Sequence, residues 1–143
     1  MDVIALPFNR FLGLEPAETD SGFLVTLPGS PHFTNHLNTV HASALFAVAE
    51  AGSGAFLLET LGNVSGYVPV VRRMDSKFRK PVKGRIWARA SAAPGSLEQA
   101  MNDLNAKGRA LINVSVEVVD ENGVVALSSA VEWFIAREKE QRP

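Results

Sequence analysis

From about residue 68 to residue 136 the chain alternates apolar and polar positions with a period of two, the pattern of half-buried β-strands. In Val68–Lys80, Val70, Met74 and Phe78 share one face with Arg72 and Ser76, and Val71, Arg73, Asp75, Lys77 and Arg79 take the other. Pro81 and Gly84 mark a turn, after which Ile86, Ala88, Ala90 and Ala92 alternate with Arg85, Trp87, Arg89 and Ser91. Arg109–Val119 repeats the pattern with Ala110, Ile112, Val114, Val116 and Val118 on one side. Asn122-Gly123 then predicts a two-residue type I′ hairpin into a last strand, Val124–Ala136, with Val125, Leu127, Val131, Trp133 and Ile135 on one face. An earlier strand is predicted at Gly22–Leu27, stopped by Pro28-Gly29-Ser30-Pro31. Ser96–Lys107 reads as a short helix on the surface, with Ser96 and Gln99 as a capping box, Gly108 as its stop, and Leu97, Ala100, Met101 and Leu104 as its apolar side.

The period changes to helical between Thr39 and about Leu61, and the composition there is unusual. Ten of the fourteen residues Ala42–Ala55 are Ala, Ser or Gly, so neighbouring structure can approach this helix closely. Gly52 and Gly54 each cost a helix about 1 kcal/mol relative to Ala, which implies stabilisation by tertiary packing rather than propensity. One small-residue helix, preceded by one strand and followed by four, predicts an α+β architecture in which an antiparallel sheet curls around the helix. Met1–Leu14 adds a short helix or turn.

Length and composition sharpen this reading. A chain of 143 residues suits one domain spanning 1–143, with a polar tail, Arg137–Pro143, that frays. The absence of cysteine excludes a disulfide framework, a zinc-thiolate site and a cysteine nucleophile, and fits a reducing cytoplasm. The amino terminus lacks the basic start and long apolar run of a signal peptide, and Gly, Ser and Glu break the longest apolar stretches, so no segment reads as membrane-spanning. A net charge of −1 argues against nucleic acid or an anionic membrane as partner. The charge is uneven, however: eight of the 14 Lys and Arg residues lie between Arg72 and Arg89, with Asp75 the only acid among them. Such a run is either a solvated strand face or a site for a polyanionic ligand.

Glu50 is the only charge between His41 and Glu59. A carboxylate among apolar residues must be paired, hydrogen-bonded or neutralised, and a desolvated one has a raised pKa suited to a general base or nucleophile. Just before the helix, His32 to His41 contains all three histidines and two asparagines. Turn and capping roles account for Asn35, Asn38 and Thr39, and without a nearby acid or cysteine the histidines make a poor metal site. If Ala42 and Ser43 open the helix, their backbone N–H groups sit where a carbonyl oxygen would be polarised, with Asn35 as a further donor and Glu50 about two turns along.

This stretch resembles the hotdog-fold acyl-CoA thioesterases, especially the phenylacetate-pathway type. Their pattern is Asn, a short spacer, Gly-Thr-hydrophobic-His-Gly-Gly, and an acidic residue nine positions after the His. Here it is matched by Asn35, by Asn38-Thr39-Val40-His41-Ala42-Ser43, and by Glu50 nine residues after His41. The resemblance implies that Glu50 acts on the thioester and that Asn35 helps hold the carbonyl or a water. It further implies that the Ala42 N–H polarises the oxygen, with His41 structural or near the substrate and Ser43 beside it. Arg72, Arg73, Lys77, Arg79 and Lys80 become candidates for the phosphates of coenzyme A, and the protein becomes a homodimer or dimer of dimers with sites at the subunit interface. No cofactor or metal is implied beyond the coenzyme A of the substrate. The chain departs from the pattern with Ala42-Ser43 in place of two glycines, with Lys80 before the proline turn, and with the additional Ser96–Lys107 helix. Two other readings stay open. One is a hydratase or dehydratase using His36, 14 residues before Glu50, together with Glu50; the other is a protein that binds acyl-CoA without turnover.

Overall fold

The computed structural model describes residues 1–62 and 66–138. Six strands form one antiparallel sheet: β1 (Glu15–Pro16), β2 (Val25–Leu27), β3 (Tyr67–Phe78), β4 (Ile86–Ala92), β5 (Arg109–Asp120) and β6 (Val125–Arg137). Their order across the sheet is β1-β2-β4-β5-β6-β3. The long helix α2 (Ala42–Leu61) lies against this sheet, touching β2, β4, β5 and β6. Two shorter helices complete the domain: α1 (Pro7–Leu12) in the amino-terminal segment, and α3 (Ser96–Lys107) between β4 and β5. This is the hotdog arrangement.

The core is the filling between α2 and the inner face of the sheet. Leu45, Val48, Ala49, Ala51 and Leu57 of α2 are buried against Ile86, Ala88, Val114, Val116, Val118, Leu127, Val131 and Ile135. α2 is apolar on all sides and is long and apolar enough to cross a membrane, yet ten of its residues are buried inside the domain. Such a helix belongs in a core because it has no polar face to turn to water. The closest approach is at Gly52, where an added Cβ would stand 2.5 Å from the Ala88 Cβ on β4. The run of small residues is therefore what lets the helix sit on the sheet. One buried polar link crosses the same interface: Trp133 Nε1 donates to Ser53 Oγ at 3.1 Å, and Ser53 Oγ donates to the Glu50 carbonyl at 2.7 Å.

Alternation along β4, β5 and most of β6 follows the pattern expected. On β3 it does not. The register shifts between Val71 and Arg73, so Arg72 is a bulge and the faces exchange there. Val71 pairs with Trp133 and packs on the core while Val70 is exposed; beyond the bulge Met74 takes the inner position. A period-two reading cannot register an extra residue, because every position past it is displaced by one.

The Asn122-Gly123 turn is not type I′: only Gly123 is left-handed. The Asp120 carboxylate accepts from the Asn122 and Val124 N–H groups, both at 2.9 Å, and organises a longer loop followed by a register shift. The Ser96 capping box is also absent. Gly95 caps α3 without a side-chain bond, and Ser96 Oγ donates back to the Ala93 carbonyl. α3 is more than a surface connection, since Ala100 and Leu104 are buried and Tyr67 donates to the Leu104 carbonyl. The first strand is shorter than Gly22–Leu27, because left-handed Asp20 and Gly22 turn the chain before it. Of the tail expected to fray, Arg137 ends β6 and residues 139–143 lie outside the described residues.

The Gly52–Ala88 contact makes a direct prediction. Gly52→Ala gains about 1 kcal/mol of helix propensity but overpacks the interface by about 1–3 kcal/mol, so urea denaturation should show a net loss. Adding Ala88→Gly should recover part of that loss, whereas strictly additive effects would contradict the contact.

Candidate active site

Two features meet at the start of α2. The first is a tight polar loop. Asn35 Oδ1 accepts from the Leu37 N–H at 2.9 Å and the Thr39 N–H at 3.1 Å, and Asn35 Nδ2 donates to Thr39 Oγ1 at 2.9 Å. Asn35 thus holds a turn in which Asn38 is left-handed, the local role that suits Asn. The second feature is the helix cap, which is His41 rather than Thr39. His41 has extended backbone angles (φ −62°, ψ 140°) and its Nδ1 accepts from the Ser43 N–H at 3.0 Å. That bond assigns the ring proton to Nε2. It also engages the Ser43 amide, so of the two N–H groups expected to face a carbonyl only that of Ala42 lacks a partner among the described residues. A groove of about 540 Å³ opens beside this helix start, lined by Phe8, Phe11, His32, Phe33, His41 and Ser43.

Glu50 lies two turns along α2 in a different recess. It is half-buried in a cavity of about 310 Å³ whose other walls include Gly54, Leu57, Leu58, Val71 and Trp133. Among the described residues Glu50 is the only charged side chain lining it. Burial raises the Glu50 carboxyl above the ordinary glutamate value, since desolvation penalises the charged form. The Asn35 loop, His36 and the Ala42 amide do not line this cavity.

The basic run divides between environments. Arg72 projects from the bulge over the Phe134 ring, 6.0 Å from its centroid, and Arg73 pairs with Asp75 at 3.0 Å. Lys77 and Arg79 line an open groove of about 920 Å³ with Arg89, Ser91, Ser115 and Ser128, and Arg79 Nε donates to Ser128 Oγ at 3.1 Å. Lys77, Glu117 and Arg89 project from the face of the sheet opposite α2, and Lys80 is exposed just beyond β3. None of these cations reaches the Glu50 cavity within one chain.

A family described as a domain of unknown function, DUF4442, matches residues 6–135. The chain belongs to this family. The solved structures it resembles include a Pseudomonas aeruginosa protein of unknown function described as a probable thioesterase. That protein is 26% identical over 95% of this chain and 91% of the other, with a TM-score of 0.79. A Haemophilus influenzae thioesterase is 17% identical over 98% and 90% of the two chains, with a TM-score of 0.73. A Bacillus halodurans protein solved with CoA is 22% identical over 90% and 74%, with a TM-score of 0.66. No curated protein matches at a significant level. Together these place the DUF4442 chain in the hotdog-fold thioesterase superfamily.

Much of the Glu50 cavity escaped the sequence reading of this DUF4442 protein. Val3 and Leu6 approach it from an amino-terminal segment without periodic pattern, and Val71 faces it because of the Arg72 bulge. Arg89, the last residue of the basic run, shares the outer face of the sheet with Lys77 and pairs with Glu117 at 2.7 Å.

The raised Glu50 carboxyl predicts a pH dependence. Folded Glu50 holds its proton to higher pH than unfolded Glu50, so this residue lowers stability as pH rises from the ordinary glutamate range through the raised value. Glu50→Gln should therefore gain on the wild type in urea midpoint between pH 4 and pH 8. A gap that narrows over that interval would contradict the assignment.

Proposed function

We propose that this protein is an acyl-CoA thioesterase. The observation that carries the reading is Glu50: a single carboxylate with a raised pKa in an apolar cavity, on a helix whose first N–H is open to a ligand. Glu50 activates water, or attacks directly, at the thioester carbon. The Ala42 N–H receives the negative charge that develops on the carbonyl oxygen. The C–S bond breaks, the sulfur takes a proton and free coenzyme A leaves; the acid forms from the attacking water, or in the direct route when water cleaves the anhydride on Glu50. Replacement of the motif glycines by Ala42-Ser43 keeps the one donor the chemistry needs, which favours turnover over mere binding.

The two groups cannot serve one carbonyl from the same chain. Eight helical residues separate them by about 12 Å along the axis. Phe46, 40% exposed, stands between them on the 42-46-50 stripe. We infer that the Ala42 amide of one subunit faces Glu50 of another. The β3 edge supports a homodimer: it is twelve residues long, carries exposed Val68, Val70 and Phe78, and contributes Pro69, Val70 and Val71 to the Glu50 cavity. Long unprotected edges are templates for pairing with a second chain. A dimer of dimers could add a second interface. In such an assembly the cations from Arg72 to Lys80 supply the charge for the coenzyme A phosphates, and the cysteine-free composition suits the cytoplasm.

Thiol release from a panel of acyl-CoAs tests the reading. Glu50→Ala and Glu50→Gln should each lower kcat by about 100-fold or more. Ala42→Pro removes the N–H and sets the ring Cδ in its place. Proline fits the first helical position, and His41 already has the extended angles required before it. This variant should keep its stability and lose about 100-fold in kcat. Equal release by all four proteins, or none by the wild type, would refute the assignment.

A further inference from the structure

The cavity beside Glu50 has one wall that comes from neither α2 nor the sheet. Met1, Val3 and Leu6 close it from the amino-terminal side. This strap is fastened at its middle. The Val3 side chain is buried in the core, and the buried Asn9 amide donates to the Val3 carbonyl at 2.9 Å. The Asp2 carboxylate accepts from the Ile4 N–H at 2.9 Å, and the Leu6 N–H donates to the Val3 carbonyl at 3.3 Å. Leu6 itself is 40% exposed and rests on the cavity rim. On the opposite wall Gly54 has no side chain, and a Cβ there would come within 3.4 Å of the Trp133 ring and 3.8 Å of Val3 Cγ2. Strap, glycine and tryptophan therefore meet at one point, and a single carbon added or removed there changes the space next to Glu50.

We propose that this cavity is the acyl subsite and that Val3, Leu6 and Gly54 set the size of the acyl group it admits. The inference rests on the thioesterase reading and deepens it by naming the acyl class. A volume of about 310 Å³ stands at the lower end of the range of about 300–1,000 Å³ usual for ligand pockets. That suits a short or medium acyl chain rather than a long one. Among the described residues Glu50 is the only charged side chain in the lining, which favours an uncharged acyl chain, because a second carboxylate would be desolvated beside the first. Trp133 Nε1 is held by Ser53 and Val3 by the core, so the walls are fixed before the ligand arrives.

The test is the chain-length profile of kcat/KM for straight-chain acyl-CoAs, measured on the wild type, Gly54→Ala, Leu6→Phe and Val3→Ala. The first two variants narrow the cavity and should lose at least tenfold on the longest chain the wild type accepts, while retaining the shortest. Val3→Ala widens it and should move the preference to longer chains. A second readout does not depend on turnover. In a Trp87→Phe background, quenching of Trp133 fluorescence by 1-alkanols of increasing length reports occupation of the cavity. Hydrolysis with the same length profile in all four proteins would overturn the proposal. If no thioester is hydrolysed, the thioesterase reading fails, and the alkanol titration alone decides the subsite. A length cut-off that moves with the substitutions upholds it, and an absence of quenching, or a fixed cut-off, overturns it.

Discussion

The contact of Gly52 with Ala88 is the constraint from which the rest of the structure follows. With 2.5 Å available where a Cβ would stand, α2 can lie this close to β4 only because one residue has no side chain and the other has a methyl. That distance brings the helix into the curve of the sheet and closes the core on both sides of it. A helix of larger residues would ride higher, leaving voids along β5 and β6 that cost free energy in proportion to their size. The helix tolerates two glycines in mid-span because packing, not propensity, stabilises it.

Seating α2 at this depth also decides which of its groups meet water and which meet apolar walls. Its first turn emerges beside the Asn35 loop, with the cap supplied by His41 and the Ala42 amide left open. Two turns on, Glu50 falls at the boundary between core and cavity, where it is desolvated enough to hold its proton more tightly yet still reachable by a ligand. One rigid element thus carries both an open backbone N–H and a desolvated carboxyl, the two groups proposed to act on the thioester, about 12 Å apart along its axis. On the proposed reading, a division of labour between chains follows from helix geometry rather than from an added device.

Several of these relations were legible in the residues. The clustering of Ala, Ser and Gly in Ala42–Ala55 announced a buried helix, and strict alternation on β4 and β5 announced their faces. Glu50 stood out because a lone charge in such a helix demands an explanation. Features that depend on one extra residue or on distant approach were not legible. The Arg72 bulge reverses the faces of β3 without any local signal, since arginine is not a residue that marks bulges. Asp120 displaced the expected type I′ turn by offering its carboxylate to two backbone amides. The strap over Glu50 joins residues about fifty positions apart, a relation that no periodicity encodes.

The central claim is that the Ala42 amide of one subunit and Glu50 of its partner form one site, and mixing subunits tests it most directly. Ala42→Pro and Glu50→Gln chains, each inactive alone, are unfolded together, refolded and assayed for thiol release. In a symmetric dimer with shared sites, half of the random pairs are mixed and each mixed pair regains one intact site, so about a quarter of wild-type activity should return. Activity that stays at the level of the separate variants, although mixed dimers have formed, would show that each chain builds its own site and would contradict the account.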